Sequence, residues 1–119
     1  MAGVVQPVEI DICRKRGDTE PVVITVKDAS GTVIDVSGWS FRLAVDPEPD
    51  PTGSANNLFL LVGSFVTDGT DGQVTFDPSP AEMDQTPDTY FYDIERIDGA
   101  GKVRTIAEGK FIIEQDVTK

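Results

Sequence analysis

Apolar side chains recur at every second position along most of this sequence, and that regularity decides the class of fold. Trp39, Phe41, Leu43 and Val45 fall in one phase, while Ser40, Arg42 and Ala44 fall in the other. Val22, Ile24 and Val26 alternate with Val23, Thr25 and Lys27. Tyr90, Tyr92 and Ile94 repeat the pattern further on. Successive strand side chains point to opposite faces, so a period of two marks half-buried strands. Spacing at 3.6 residues is almost absent, which excludes helical bundles and alternating helix–strand folds.

Breakers cut the pattern into runs at 8–13, 21–27, 32–36, 40–45, 58–66, 73–77, 89–97 and 102–114. Asp28-Ala29-Ser30-Gly31 predicts a turn that joins the second and third runs as a hairpin. Asp98-Gly99-Ala100-Gly101 predicts another between the last two. Gly109 interrupts the final run, so a bulge or bend is expected there. Ser79-Pro80-Ala81-Glu82 has the order of a capping box with proline at the first helical position, predicting one short helical turn over 79–85. About eight strands with no intervening helices predict an all-β, antiparallel, immunoglobulin-like two-sheet sandwich, with 1–119 as a single domain. The alternation nominates Trp39, Phe41, Leu43, Tyr92, Ile94 and Phe111 as core anchors.

Two stretches break the rule. Asp46-Pro47-Glu48-Pro49-Asp50-Pro51 places proline at every second position, and proline donates no hydrogen bond to a ladder. The segment 46–57 is too long for a simple hairpin, so these residues form a candidate partner-contact loop. The run 58–66 is apolar in both phases, which predicts a central strand or one covered by a partner.

Charge narrows the partners. Ten basic and 21 acidic residues give a net charge of −11, which opposes binding to nucleic acid or to an anionic membrane. No run approaches the ~18 apolar residues of a membrane span. Histidine is absent and Cys13 is the single cysteine, so the sequence offers no His-based triad, internal disulfide or Cys-rich zinc site. Aspartates at 68 and 71, and acids at 46, 48 and 50, have the hard oxygens that calcium takes, but turn chemistry alone explains them. No enzyme activity, cofactor or metal is expected. Arg14, Lys15 and Arg16 form the one basic cluster, a candidate docking patch for an acidic partner that would also lower the pKa of Cys13.

A resemblance runs along nearly the whole chain. Its residues are Arg16-Gly17-Asp18-Thr19, then 23–31, and Ile34-Asp35-Val36-Ser37-Gly38-Trp39-Ser40-Phe41-Arg42-Leu43. Gly72-Gln73-Val74-Thr75-Phe76, Ser79-Pro80-Ala81 and Thr89-Tyr90-Phe91-Tyr92-Asp93-Ile94-Glu95 follow. Gly101-Lys102-Val103, Gly109-Lys110-Phe111 and Gln115-Asp116-Val117-Thr118 complete it. In order and spacing these resemble the N-terminal immunoglobulin-like domain of siphophage baseplate upper proteins. The resemblance implies a structural virion protein of a tailed phage, assembled in the bacterial host cytoplasm and present in multiple copies per particle. It would be a tail or baseplate adaptor or connector whose partners are other virion proteins. Baseplate upper proteins continue into a stalk where this sequence ends at Lys119, so a connector role is expected over direct host binding. A capsid decoration protein is the alternative reading. A carbohydrate-binding module with Trp39, Tyr90 and Tyr92 as a stacking platform is the second alternative.

Overall fold

A computed structural model describes residues 8–49 and 57–117. Among these residues nine strands and one helical turn follow one another as β1 (Val8–Glu9), β2 (Ile12–Lys15), β3 (Val22–Thr25), β4 (Ser40–Asp46), β5 (Phe59–Val62), β6 (Ser64–Phe65), β7 (Gln73–Phe76), α1 (Pro80–Met83), β8 (Asp88–Ile97) and β9 (Val103–Glu114). They build the immunoglobulin-like sandwich that the alternation predicts. One six-stranded sheet runs β1-β9-β8-β4-β5 with β2 also on β9, and a three-stranded sheet runs β3-β7-β6. The inward phases of both sheets meet in one apolar core, where Phe41, Leu43, Phe76, Ile94 and Phe111 are buried. Phe111 takes Phe59 edge-on at 5.8 Å and Tyr92 at 6.3 Å between ring centroids.

Several connections differ from the sequence reading. β1 and β2 lie parallel to β9, in one continuous register from Val8 opposite Ala107 to Lys15 opposite Glu114. The pair breaks only at Ile10–Asp11. There Tyr92 OH donates to Ile10 O at 2.5 Å, and Asp11 Oδ1 accepts from Lys110 N–H at 3.1 Å. A Cβ on Gly109 would collide with the Ile10 carbonyl, so this glycine permits the close approach of the two edges. The bulge expected at Gly109 lies earlier instead. Ile94 pairs with Ala107 but Glu95 pairs with Thr105, so Ile106 is the extra residue.

The run 58–66 is not one strand. It enters the large sheet as β5, beside β4, and leaves at Gly63 to join β7 in the small sheet as β6. A side chain at Gly63 would meet Val74, Phe41 and Phe76 within 3.0 Å, so the crossing between sheets needs a residue without Cβ. The run 32–36 meets the second run only briefly: the turn closes at Asp28, whose Oδ1 accepts from Ser30 N–H and Thr32 N–H, a bridge joins Lys27 to Val33 and Ile34 N–H donates to Val26 O, but Val36 N–H already turns to Gly69 O. The capping box is present as read. Glu82 N–H donates to Ser79 Oγ at 3.1 Å and Ser79 N–H donates to Glu82 Oε1 at 2.8 Å, ahead of a single turn that buries Met83.

Trp39 is only partly buried. It precedes β4, outside the strand whose inward phase it shares in the sequence, and packs on the core rim 6.3 Å from Phe41 with the Arg96 guanidinium 5.0 Å over its ring.

Candidate functional site: an acidic groove beside the proline loop

The outward phase of the large sheet brings carboxylates together. Asp93 on β8 stands directly opposite Glu108 on β9, and Glu95 shares its face two residues along. Like charges directly opposite in a ladder destabilise it. The strain shows in the ionisation of Asp93: burial, then the charges of Glu95 and Glu108, push its carboxyl above the ordinary range, with Arg42 acting against them. Arg42 is occupied by Glu95, Nε to Oε1 at 2.9 Å.

The start of the proline loop closes one side of this surface. Asp46, at the end of β4, is 4% exposed. Its Oδ1 accepts from Glu48 N–H at 2.9 Å and its Oδ2 from Asn57 Nδ2 at 2.7 Å. These bonds tie the two described ends of the loop to each other and carry Glu48 and Pro49 over the sheet. Two adjoining hollows result, of about 590 Å³ and 310 Å³, both lined by Pro49, Phe91 and Glu108. Glu9 and Asp11 line the far end of the first. Glu48, Asp93 and Glu95 line the second. Lys110, in the first hollow, is the one cation lining either among the described residues. A proline and a phenylalanine set among carboxylates offer apolar seating for an aliphatic stem and anionic seating for its charged end.

Of the six residues nominated in the loop, Asp46, Glu48 and Pro49 line this groove, while Pro47 is exposed beside them. Asp50 and Pro51 lie outside the described residues. In the sequence, Phe91 and Asp93 stand out only as part of the resemblance over 89–95, and Glu108 does not stand out at all. The groove depends on the β8–β9 register, which the extra residue Ile106 sets.

The basic cluster is not a free patch. Arg14 Nε is 3.6 Å from Glu20, Lys15 Nζ 3.4 Å from Glu114 and Arg16 Nε 2.9 Å from Asp84. Arg14 and Lys15 also belong to β2, where alternation sends them to opposite faces. Each of the three cations of the candidate docking patch thus has a carboxylate of this chain beside it, in pairs that are partly exposed. Cys13 is affected too. Its Sγ–H donates to Glu114 Oε1 at 3.3 Å, and that bond raises the thiol pKa above its ordinary value against the smaller lowering by Lys15 and Arg14.

The acids of the 67–73 turn are engaged with their own backbone. Asp68 Oδ1 accepts from Thr70 N–H at 3.0 Å and Asp71 Oδ1 from Gln73 N–H at 3.1 Å. No group of three or more Cys, Asp or Glu among the described residues is arranged to hold a metal ion. Tyr90 and Tyr92 are buried, their hydroxyls donating to Thr86 O and Ile10 O at 2.5 Å each. With Trp39 under Arg96, these three rings form no open stacking platform.

No protein-family model matches the sequence, and no curated protein matches it. Among solved structures, the chain is similar to CopC from Methylosinus trichosporium OB3b, with 8% identity, 100% of this chain and 99% of that chain covered, and a TM-score of 0.46. It is also similar to AggA, the major subunit of aggregative adherence fimbriae type I from Escherichia coli, with 12% identity, 92% and 91% covered, and a TM-score of 0.39. Likenesses this low transfer nothing about function to the present chain.

Proposed function

We propose that the chain is a non-enzymatic assembly component, a structural virion protein of a tailed phage that serves as a tail or baseplate adaptor or connector. The ordered sequence resemblance supports the phage setting. The opposed pair Asp93 and Glu108, set against Phe91 and Pro49, carries the docking half of the reading. A sandwich gains nothing in stability by facing two carboxylates across a ladder. A neighbour's lysine or arginine inserted between them relieves the repulsion, so the groove favours a basic segment of an adjoining virion protein. The Pro49 ring and Phe91 receive the aliphatic stem of such a residue. Proline at positions 47 and 49 restricts the backbone beside the groove before any neighbour binds.

Quantitative mass spectrometry of purified particles tests the reading. It expects the chain in tens of copies or fewer. Hundreds of copies place it on the capsid as a decoration protein, and absence from particles ends the structural reading. Deleting the gene should stop particle assembly or infectivity. Unchanged assembly and infectivity would contradict the proposal.

A further inference from the structure

Strand β5 leaves one edge of the large sheet unpaired among the described residues. Gly63 N–H donates to Phe41 O at 2.8 Å, in the same ladder that pairs Leu61 with Leu43 and Phe59 with Val45. In an antiparallel ladder the intervening residues then aim their backbone N–H and C=O away from β4. Those residues are Leu60 and Val62, whose side chains stand on the outer face 45% and 71% exposed. Exposed edges are ordinarily guarded by lysine, proline or a charge. The stretch 58–66 has none of these.

We infer that this edge pairs with the same edge of a second copy, antiparallel, about a two-fold axis at Leu61. In that register Leu60 lies opposite Val62 of the other copy, and each pair exchanges two backbone hydrogen bonds. Every outward N–H and C=O of the two residues is satisfied by its symmetry mate. Leu60 and Val62 cover each other on the outer face, and two six-stranded sheets join into one. The edge is its own complement: the outward N–H and C=O groups belong to Leu60 and Val62, placed evenly about Leu61, so a second copy meets them in register. Chains of net charge −11 repel, and β5 with its flanks, being uncharged, adds nothing to that repulsion at the seam. On that face Arg42, beside Val62, is paired with Glu95 at 2.9 Å, and Asp93 lies one strand beyond Ala44 from Leu60. The remaining edges of the large sheet are less suited, since β1, β2 and the link between them carry Glu9, Asp11, Arg14 and Lys15. Isologous pairing closes at two copies. So short a ladder buries far less than the ~1,200 Å² of a stable interface, so the dissociation constant should fall at roughly 0.1–1 mM.

The inference stands apart from the acidic groove, and salt separates them. Screening the net repulsion should strengthen pairing through β5, whereas it weakens a contact between the groove and a basic partner. The test is sedimentation velocity on the full chain from roughly 10 μM to 1 mM. The mass should move reversibly from 12.9 kDa toward twice that value, further at high salt. Val62→Lys should lower the association constant at least about tenfold. Val23→Lys, on the exposed edge of the small sheet, should leave it unchanged. Hydrogen exchange on the wild-type chain reads the same contact without a variant: the Leu60 and Val62 amides should slow as concentration rises. A constant mass, a Val62→Lys chain that dimerises like wild type, growth beyond two copies, or amides indifferent to concentration would each overturn the inference.

Discussion

Gly63→Ala should destabilise the chain although it adds a single methyl group. The new Cβ would sit 2.8 Å from Val74 Cγ1, 2.9 Å from Phe41 Cβ and 3.0 Å from Phe76 Cε1. Carbon pairs prefer about 3.5–4.0 Å, so each contact must open by roughly 0.5–1 Å. Val74 and Phe76 are fully buried, and the Phe41 Cβ is fixed by the β4 backbone, which leaves no flexible chain end to yield. Overpacking of this kind costs about 1–3 kcal/mol. Restricting the unfolded chain returns about 0.4–1 kcal/mol. The net expectation is a loss of about 1–2 kcal/mol, or roughly 3–10 °C in Tm for a domain of this size. Urea unfolding followed by Trp39 fluorescence measures it. Gly38→Ala is the control, since nothing lies within 4 Å of its added Cβ and its φ is not positive. That variant should match or slightly exceed wild type. A Gly63→Ala chain as stable as Gly38→Ala would refute the crossing between sheets at this residue.

Other expectations follow from ionisable groups. Asp93 has a folded pKa above its unfolded value, so its protonation favours the folded state: its stabilising contribution is present at low pH and is lost as pH rises through the folded pKa. Asp93→Asn should therefore stabilise the chain at neutral pH and lose that advantage on acidification, as denaturation midpoints at several pH values will show. Tyr92 is pushed up to about 12 by burial and by the charges of Asp11 and Glu108, so stability should fall as pH rises between about 10 and 12. Ultraviolet titration should find its ionisation coincident with unfolding, and Tyr92→Phe, which removes the bond to Ile10 O, should cost about 0.5–1.5 kcal/mol. Cys13 is exposed yet held as a thiol by Glu114, so Glu114→Gln should speed its reaction with a disulfide reagent at pH 7, and an unchanged rate would contradict that assignment.

Alternation and local chemistry were readable where they act within a few residues. The inward phase of Phe41, Leu43 and Val45, the Ser79–Glu82 capping box and the turn at Asp98 all depend on near neighbours. Pairing depends on distant ones. Nothing local tells Ile12 that it will lie parallel to Phe111, or tells the run 58–66 that its two halves belong to different sheets. Period two encodes a face but not which sheet that face belongs to. The pairing of the basic cluster divides the same way: Glu20 stands six residues from Arg14, whereas Asp84 and Glu114, beside Arg16 and Lys15, lie far along the chain. Part of the groove was legible, because prolines marked the loop that lines it at Glu48 and Pro49. Its acidic floor was not, because the facing of Asp93 and Glu108 follows from a register that one extra residue in β9 determines.

Zero-length carboxyl-to-amine cross-linking in intact particles, read by mass spectrometry, tests the docking claim most directly. Asp93, Glu95 and Glu108 should link to lysines of a neighbouring virion protein, and Glu108→Gln should lower the yield. A chain present in particles whose links to neighbours all arise from other faces, or a chain missing from particles altogether, would contradict it.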